Sequence, residues 1–107
     1  MVKKAKPQAK AKKQLDKLLL KVPAEHVFWC HDGSIFSDSN ELAKGLVAMS
    51  DETFVYHSNL DKQDFSNWVR DVIGDEQLAR DLAKARDRLE AANVVTARLV
   101  LLENRIQ

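Results

Sequence analysis

The stretch from Ser50 to Leu82 constrains the fold of this chain more than any other segment. Ser50 and Asp75 are residue types that cap the start of a helix, and Gly74 suits the end of one. Between these caps, residues 62–73 place their apolar side chains at the spacing of one helical face. Those side chains are Phe65, Trp68, Val69 and Val72. The stretch therefore predicts short amphipathic helices separated by capped breaks.

Two other patterns precede this stretch. Residues 26–31 and 34–36 are β-prone, and the Asp32-Gly33 pair between them is a strong signal for a β-hairpin. From Ser37 the period becomes helical, and Gly45 indicates the close approach of a neighbouring element. In this helix and the next, we expect the positions facing the core to be Leu42, Leu46, Val47, Met49, Phe54, Val55 and Tyr56.

Both ends of the chain also have helical periodicity. Residues 9–22 contain good helix formers, and Pro23 should end that helix. Near the C-terminus, Asp87 and Glu90 have the spacing of a helix cap, although one continuous helix through this point also fits the sequence. A short heptad seam follows, formed by Ala92, Val95, Leu99, Leu102 and Ile106.

The heptad seam needs a partner because it is a continuous apolar face. One candidate is the same helix of a second molecule, which would make a homodimer. The other is a face of the same chain, such as the one formed by Leu15, Leu18, Leu19 and Val22.

Length and composition fit one helical domain. A chain of 107 residues can bury a single core, and three Gly and two Pro leave few breaks. We expect a mainly α (α+β) fold of about five to six helices with one short N-terminal β-hairpin over residues 15–107.

No apolar run approaches the roughly 18 residues of a membrane span, and the start lacks an apolar signal region. With a single cysteine, Cys30, these features predict a cytoplasmic protein that does not use a membrane.

The charge is strongly segregated along the chain. Residues 1–21 hold eight lysines and one acid, Asp16, whereas the remainder holds nine Lys or Arg against fifteen Asp or Glu. Residues 1–14 therefore form a basic arm that could bind a nucleic acid or an acidic protein. The alternatives are a solvated terminus and an arm that docks on its own acidic body. The predicted binding residues are Lys3, Lys4, Lys6, Lys10, Lys12 and Lys13.

Three blocks carry a family resemblance. Residues 27–36 form an aromatic strand and Asp-Gly turn, residues 49–54 read Met-Ser-Asp-Glu-Thr-Phe, and residues 64–75 combine Asp-Phe, Asn-Trp, Arg-Asp and Gly-Asp pairs. In this order they resemble a widespread prokaryotic family of small domains of unknown function, over about residues 26–86. The resemblance implies no reaction. The polar positions that it implies are His57, Asn59, Asp64, Asn67, Arg70 and Asp71.

Four of these polar residues are the candidate catalytic residues, namely His57, Asp64, Asn67 and Arg70. His57 and Asp64 could meet across a short loop and form a His-carboxylate pair of the kind used in acid-base catalysis. The alternative is structural: His57 ends its helix and the other three tie helices together through side-chain bonds. The sequence contains no recognisable nucleophile turn or glycine-rich phosphate loop, which favours the structural alternative.

A metal site is not predicted. On an extended strand His31 points away from Cys30, and His26 lies about 13 Å from Cys30, which is too far for a shared ion. We therefore expect no metal or other cofactor. Phe28 and Trp29 should face opposite sides of their strand, so one of them is either exposed as a binding surface or covered by a terminal helix.

These features predict a small non-enzymatic interaction module that binds a protein or nucleic-acid partner, with the helical core as scaffold. The alternative is a minor enzyme or small-ligand-binding domain that uses the His/Asp/Asn/Arg cluster.

Overall fold

A computed structural model describes residues 15–106 of the chain, so the predicted basic arm lies outside the described residues. A 3-10 turn (Ala24–His26) leads into a hairpin and then into five α-helices. These elements are β1 (Phe28–Trp29), β2 (Ile35–Phe36), α1 (Ser39–Ala48), α2 (Asp51–His57), α3 (Asp64–Trp68), α4 (Glu76–Ala83) and α5 (Arg88–Ile106). The predicted mainly α fold with a short N-terminal hairpin is confirmed.

The core is centred on the packing of α1 against α5, and α4 also packs on α5. The largest fully buried side chains are Leu42, Leu46, Val69, Leu78, Val95 and Leu102. The first four residues of the predicted heptad seam are buried, whereas Ile106 is half-buried. The seam therefore packs within the same chain, mainly against α1. Leu19 and Val22, from the other candidate face, are partly buried against the same core. A homodimer through α5 stays a prediction.

The hairpin is antiparallel, with Phe28 opposite Phe36 and Trp29 opposite Ile35. Gly33 has a φ of 95° in the turn, a conformation that glycine adopts without steric cost. Phe28 and Phe36 face the core and stack with their ring centroids 5.9 Å apart. The Phe36 ring lies against Gly45 so closely that a Cβ at that position would collide with it. Both the hairpin and the close approach at Gly45 are therefore as predicted.

The N-terminal segment enters the domain alongside the start of α1. The Val22 amide donates to the Ser37 carbonyl at 2.8 Å, and the Lys21 ammonium pairs with Asp38 and Glu41 at 3.1 and 3.0 Å. The predicted helix over 9–22 is wrong in its described part, since only residues 15–17 are helical. The contacts of Lys21 and Val22 with the α1 start hold an extended backbone there, so the helix ends well before Pro23.

Three predicted core positions are exposed: Val47 by 60%, Val55 by 56% and Tyr56 by 47%. The cause is geometric, because consecutive helical positions differ by about 100° around the axis and a short helix is covered on one side. In α1 the covered stripe is Ser39, Leu42, Ala43 and Leu46. In α2 it is Thr53, Phe54 and His57, which turns Val55 and Tyr56 outward.

The helix predicted over 62–73 begins at Asp64 and changes its winding before it ends. Its last turn, Val69–Ile73, is a π-helix in which the Gly74 amide donates to the Val69 carbonyl at 2.8 Å. Gly74 has a φ of 88°, as expected of a glycine at a helix end. The buried Trp68 indole donates to the His26 carbonyl at 2.8 Å and so ties this helix to the segment before the hairpin.

The two remaining breaks are capped by aspartates. Asp75 accepts from the Leu78 amide at the start of α4, and its buried carboxylate forms two bonds of 2.9 and 3.0 Å with Arg98 of α5. Asp87 accepts from the Glu90 amide at 2.8 Å. The alternative of one continuous helix through Asp87 is therefore wrong. Within residues 15–106 no helix combines the length and the apolar character needed to cross a bilayer.

At the start of α1, the carboxyl group of Glu41 has a strongly lowered pKa. Its carboxylate accepts from the Ser37 amide and hydroxyl, both at 2.7 Å, and these bonds together with Lys21 lower the pKa of Glu41 from 4.5 to about 2. Because the pKa is lower in the folded state, this contribution to stability is complete above about pH 4.5 and is lost as the pH falls toward 2.

We predict that Glu41→Gln lowers the free energy of unfolding at neutral pH and that its difference from the wild type shrinks as the pH falls toward 2. Urea unfolding over the acidic pH range measures this difference. Glu103→Gln, which changes an exposed glutamate on α5, is the matched control and should show a smaller difference at neutral pH. A difference between wild type and Glu41→Gln that stays constant with pH would contradict the assignment.

Candidate functional site

His57 lies at the end of α2 and joins two other parts of the fold. Its Nε2 accepts a hydrogen bond from the His31 amide in the hairpin turn at 2.9 Å. Its Nδ1 lies 3.0 Å from the Asp64 carboxylate at the start of α3. Since a backbone amide can only donate, Nε2 carries no proton and Nδ1 donates to Asp64. The Nδ1-H tautomer of His57 therefore connects the hairpin, α2 and α3.

The surroundings of the His57 ring are aromatic. Its ring is buried, and the centroids of Phe28, Phe65 and Tyr56 lie 5.0, 5.2 and 4.9 Å from it. Phe28 meets it edge-on, as does Tyr56. Burial of this kind makes both of its hydrogen bonds important, because an unpaired polar atom inside an apolar cluster costs about 1–3 kcal/mol.

The prediction that His57 and Asp64 meet is confirmed in this geometry. Asp64 also pairs with Lys62 at 3.3 Å. Because both ring nitrogens of His57 already have partners, no nitrogen is left to exchange a proton with a substrate in this arrangement. The pair holds the loop between α2 and α3 against the hairpin.

The other two catalytic candidates do not join this pair. Asn67 is exposed on α3, and Arg70 is exposed and forms a surface ion pair with its neighbour Asp71 at 2.9 Å. This pair raises the pKa of Arg70 and lowers that of Asp71. Arg70 lines a shallow groove with Ser66, Glu76, Ala79, Arg80 and Ala83, away from His57. Of the four predicted residues, only His57 and Asp64 are therefore in contact with each other.

Asn59, which belongs to the sequence resemblance, has a local role. Its side-chain oxygen accepts from the amides of Asp61 and Lys62, and its nitrogen donates to the Val55 carbonyl at 2.8 Å. These bonds close the turn between α2 and α3 and satisfy a carbonyl at the end of α2.

The three residues weighed as metal ligands have different environments. His26 is exposed in the 3-10 turn, Cys30 is buried, and His31 stacks on Tyr56 with ring centroids 3.9 Å apart. Burial raises the pKa of the Cys30 thiol, which disfavours the thiolate that binds metals. Within residues 15–106, no group of three or more His, Cys, Asp or Glu side chains is arranged to hold a metal ion.

A cluster of exposed apolar side chains lies on the hairpin and α2. Trp29 is 69% exposed, whereas its neighbour Phe28 is buried. The sequence left open whether the outward-facing aromatic residue is exposed or covered by a terminal helix. Among the described residues, no helix covers Trp29. We call the exposed apolar and aromatic residues of these two elements and of the hairpin turn the hairpin surface; they are Trp29, His31, Ile35, Val55 and Tyr56.

The hairpin surface borders a shallow groove of about 690 Å³ between the hairpin turn and α2. The groove is lined by His31, Ser50, Asp51, Glu52, Thr53, Val55 and Tyr56. The Lys62 ammonium lies 4.1 Å from the centre of the Tyr56 ring, and His31 stacks on that same ring. Because each covers the ring at about the same distance, they occupy opposite faces and fix its position.

The sequence patterns missed this groove. Tyr56 was predicted to be buried, and His31 was considered only as a metal ligand, yet the two form one stacked pair 25 residues apart in the chain. The sequence did contain a local signal for the exposure of Tyr56. Phe54 and His57 have the spacing of one buried helical face, and Tyr56 lies to the side of that face. The stacking on His31 is a tertiary contact that no local pattern encodes.

We predict that His57→Leu destabilises the protein by about 2–4 kcal/mol, because it leaves the His31 amide without an acceptor and removes one of the two donors to Asp64. His57→Gln should recover part of this loss, since its side-chain oxygen can accept from the His31 amide. Chemical unfolding measures both variants. His26→Leu, which changes an exposed histidine, is the matched control and should have little effect. Equal stability of the His57→Leu and His26→Leu proteins would refute the structural role.

No protein-family model matches this sequence, and comparisons with curated proteins and with solved structures found no significant match. The family resemblance drawn from residues 26–86 therefore stays a prediction, and the geometry of the chain itself is the basis for assigning a function.

Proposed function

We propose that this chain is a non-enzymatic, cytoplasmic interaction module that binds a protein partner through the hairpin surface. The observation that carries the proposal is Trp29, a large aromatic side chain that is 69% exposed on the hairpin. Exposed apolar patches on small proteins commonly mark interaction sites, and tryptophan is enriched among the residues that dominate binding energy.

The scaffold beneath the hairpin surface supports this proposal. Phe28 and Phe36 anchor the inner face of the hairpin in the core, and His57 holds its turn. Trp29 and Ile35 are directly opposite each other on the outer face, so a partner would meet two adjacent apolar side chains. A binding surface that is already ordered loses little conformational entropy when a partner binds.

The same geometry favours binding over acid-base catalysis. The His57 ring is buried and both of its nitrogens are engaged, while the exposed Arg70 pairs with Asp71 and not with His57 or Asp64. These are the residues on which the enzymatic alternative depended.

Charge favours a protein over a nucleic acid at the hairpin surface. Asp51 and Glu52 line the adjoining groove and Asp32 is exposed in the hairpin turn, so these three carboxylates outnumber the Lys62 ammonium that lies on Tyr56, and carboxylates repel phosphates. The hydrogen bond from the Ser34 amide lowers the pKa of Asp32, so that this residue is ionised at neutral pH.

Affinity capture from the source cell tests the proposal with a matched pair of variants. Trp29→Ser removes the central side chain of the hairpin surface, and Leu89→Ser removes an exposed leucine at the start of α5. We expect the amount of each protein captured by the wild type to fall at least about tenfold with Trp29→Ser. With Leu89→Ser the amount should stay the same. Partners that bind both variants equally, or no specific partner, would contradict the proposal.

The basic arm is a second candidate binding region, favoured by its charge. Its six lysines, Lys3, Lys4, Lys6, Lys10, Lys12 and Lys13, occur without a single acid in residues 1–14. We propose that they bind a polyanion, either a nucleic acid or an acidic protein, through contacts that weaken as salt rises.

Retention on heparin tests the role of the arm in the full-length chain. We expect the salt concentration for elution to fall when the six arm lysines are replaced by glutamine. A control that replaces the exposed Lys44 and Lys84, on α1 and after α4, should change elution less. Equal elution of the wild type and the arm variant would contradict a polyanion-binding arm.

A further inference from the structure

The groove beside the hairpin surface combines an apolar wall with an acidic rim. Val55 and the edge of Tyr56 form the wall, and His31 closes it from the hairpin side. Asp51 and Glu52, from the first turn of α2, also line the groove and form what we call its acidic rim. A ligand that fills this groove therefore meets apolar atoms and negative charge together.

We propose that the groove binds a basic peptide segment of a partner protein, with an apolar side chain of the peptide against Val55 and Tyr56. The inference rests on the proposed function and adds the chemistry of the partner. The partner would place Lys or Arg beside the acidic rim, because exposed carboxylates and ammonium or guanidinium groups of the two surfaces attract each other.

The acids of the rim are available for such contacts to different degrees. One Asp51 oxygen bonds to Arg88 at 2.9 Å, so Asp51 also joins α2 to α5. Glu52 forms no ion pair with another residue of the described range and is exposed. Asp32, next to His31 in the turn, lies outside the lining of the groove, and its carboxylate accepts from the Ser34 amide at 2.9 Å. We therefore expect Glu52 to be the side chain that discriminates most between basic and other peptides.

The wall of the groove is preorganised. His31 and Lys62 cover the two faces of the Tyr56 ring, so the peptide contacts its edge and the adjacent Val55. Lys62 is in turn held by Asp64, which also bonds to His57. We call the two hydrogen bonds of the His57 ring, to the His31 amide and to Asp64, the His57 clamp. This clamp therefore positions both the hairpin turn and the aromatic wall.

Selection of short random peptides displayed on phage tests this inference with the full-length protein as bait. We expect peptides enriched on the wild type to carry net positive charge and at least one aliphatic or aromatic residue. Glu52→Lys should reduce their binding about tenfold, because it places like charges opposite each other. Glu52→Gln should reduce it about threefold, as expected for the loss of an exposed ion pair.

Glu103→Lys is the matched control, since it makes the same charge change on an exposed site of α5 and should leave binding unchanged. Thermal unfolding of each variant shows that the fold is intact. Enriched peptides without positive charge, equal loss with Glu103→Lys, or no enrichment would overturn the inference. If enrichment depends on Trp29 but not on Glu52, the proposed function survives and the basic-peptide inference fails.

Discussion

The two hydrogen bonds of the buried His57 ring are the interaction on which the rest of the structure depends. A two-stranded hairpin is only marginally stable in isolation, and this one has two residues in each strand. The bond from the His31 amide to Nε2 secures its turn, and the bond from Nδ1 to Asp64 secures the start of α3. The aromatic rings of Phe28 and Phe65 pack against the buried His57 ring that makes both bonds.

This clamp determines which residues remain available for function. It uses the histidine and the carboxylate that most resembled a catalytic pair, and it buries the histidine ring while the carboxylate stays partly exposed. The side chains that it leaves outside are Trp29, Ile35, Val55 and Tyr56, on a surface that the clamp keeps rigid. Lys62 extends the same network from Asp64 to the Tyr56 ring. An exposed apolar surface beside a buried polar pair is the arrangement on which the proposed binding role rests.

Sequence patterns predicted those features that depend on neighbours along the chain. The Asp32-Gly33 turn, the caps at Ser50 and Asp75 and the stop at Gly74 follow from local backbone preferences, and all four are present. The approach of His57 to Asp64 across a short loop was predictable for the same reason.

Features that depend on tertiary contacts were not predictable. The hydrogen bond from the His31 amide to His57 joins residues that are 26 positions apart in the sequence, and the bond from Arg98 to Asp75 joins residues that are 23 positions apart. The face of α2 that is buried depends on where α3 and the hairpin lie, so the burial of Val55 and Tyr56 was predicted wrongly.

The tautomer of His57 tests the central claim most directly. Long-range ¹H–¹⁵N correlation spectra distinguish protonated from unprotonated ring nitrogens and assign each to its position. The structure predicts a protonated Nδ1, bonded to Asp64, and an unprotonated Nε2 that accepts from the His31 amide. A proton on Nε2 in the folded protein would contradict the clamp, because that nitrogen could then no longer accept from the backbone of the hairpin turn.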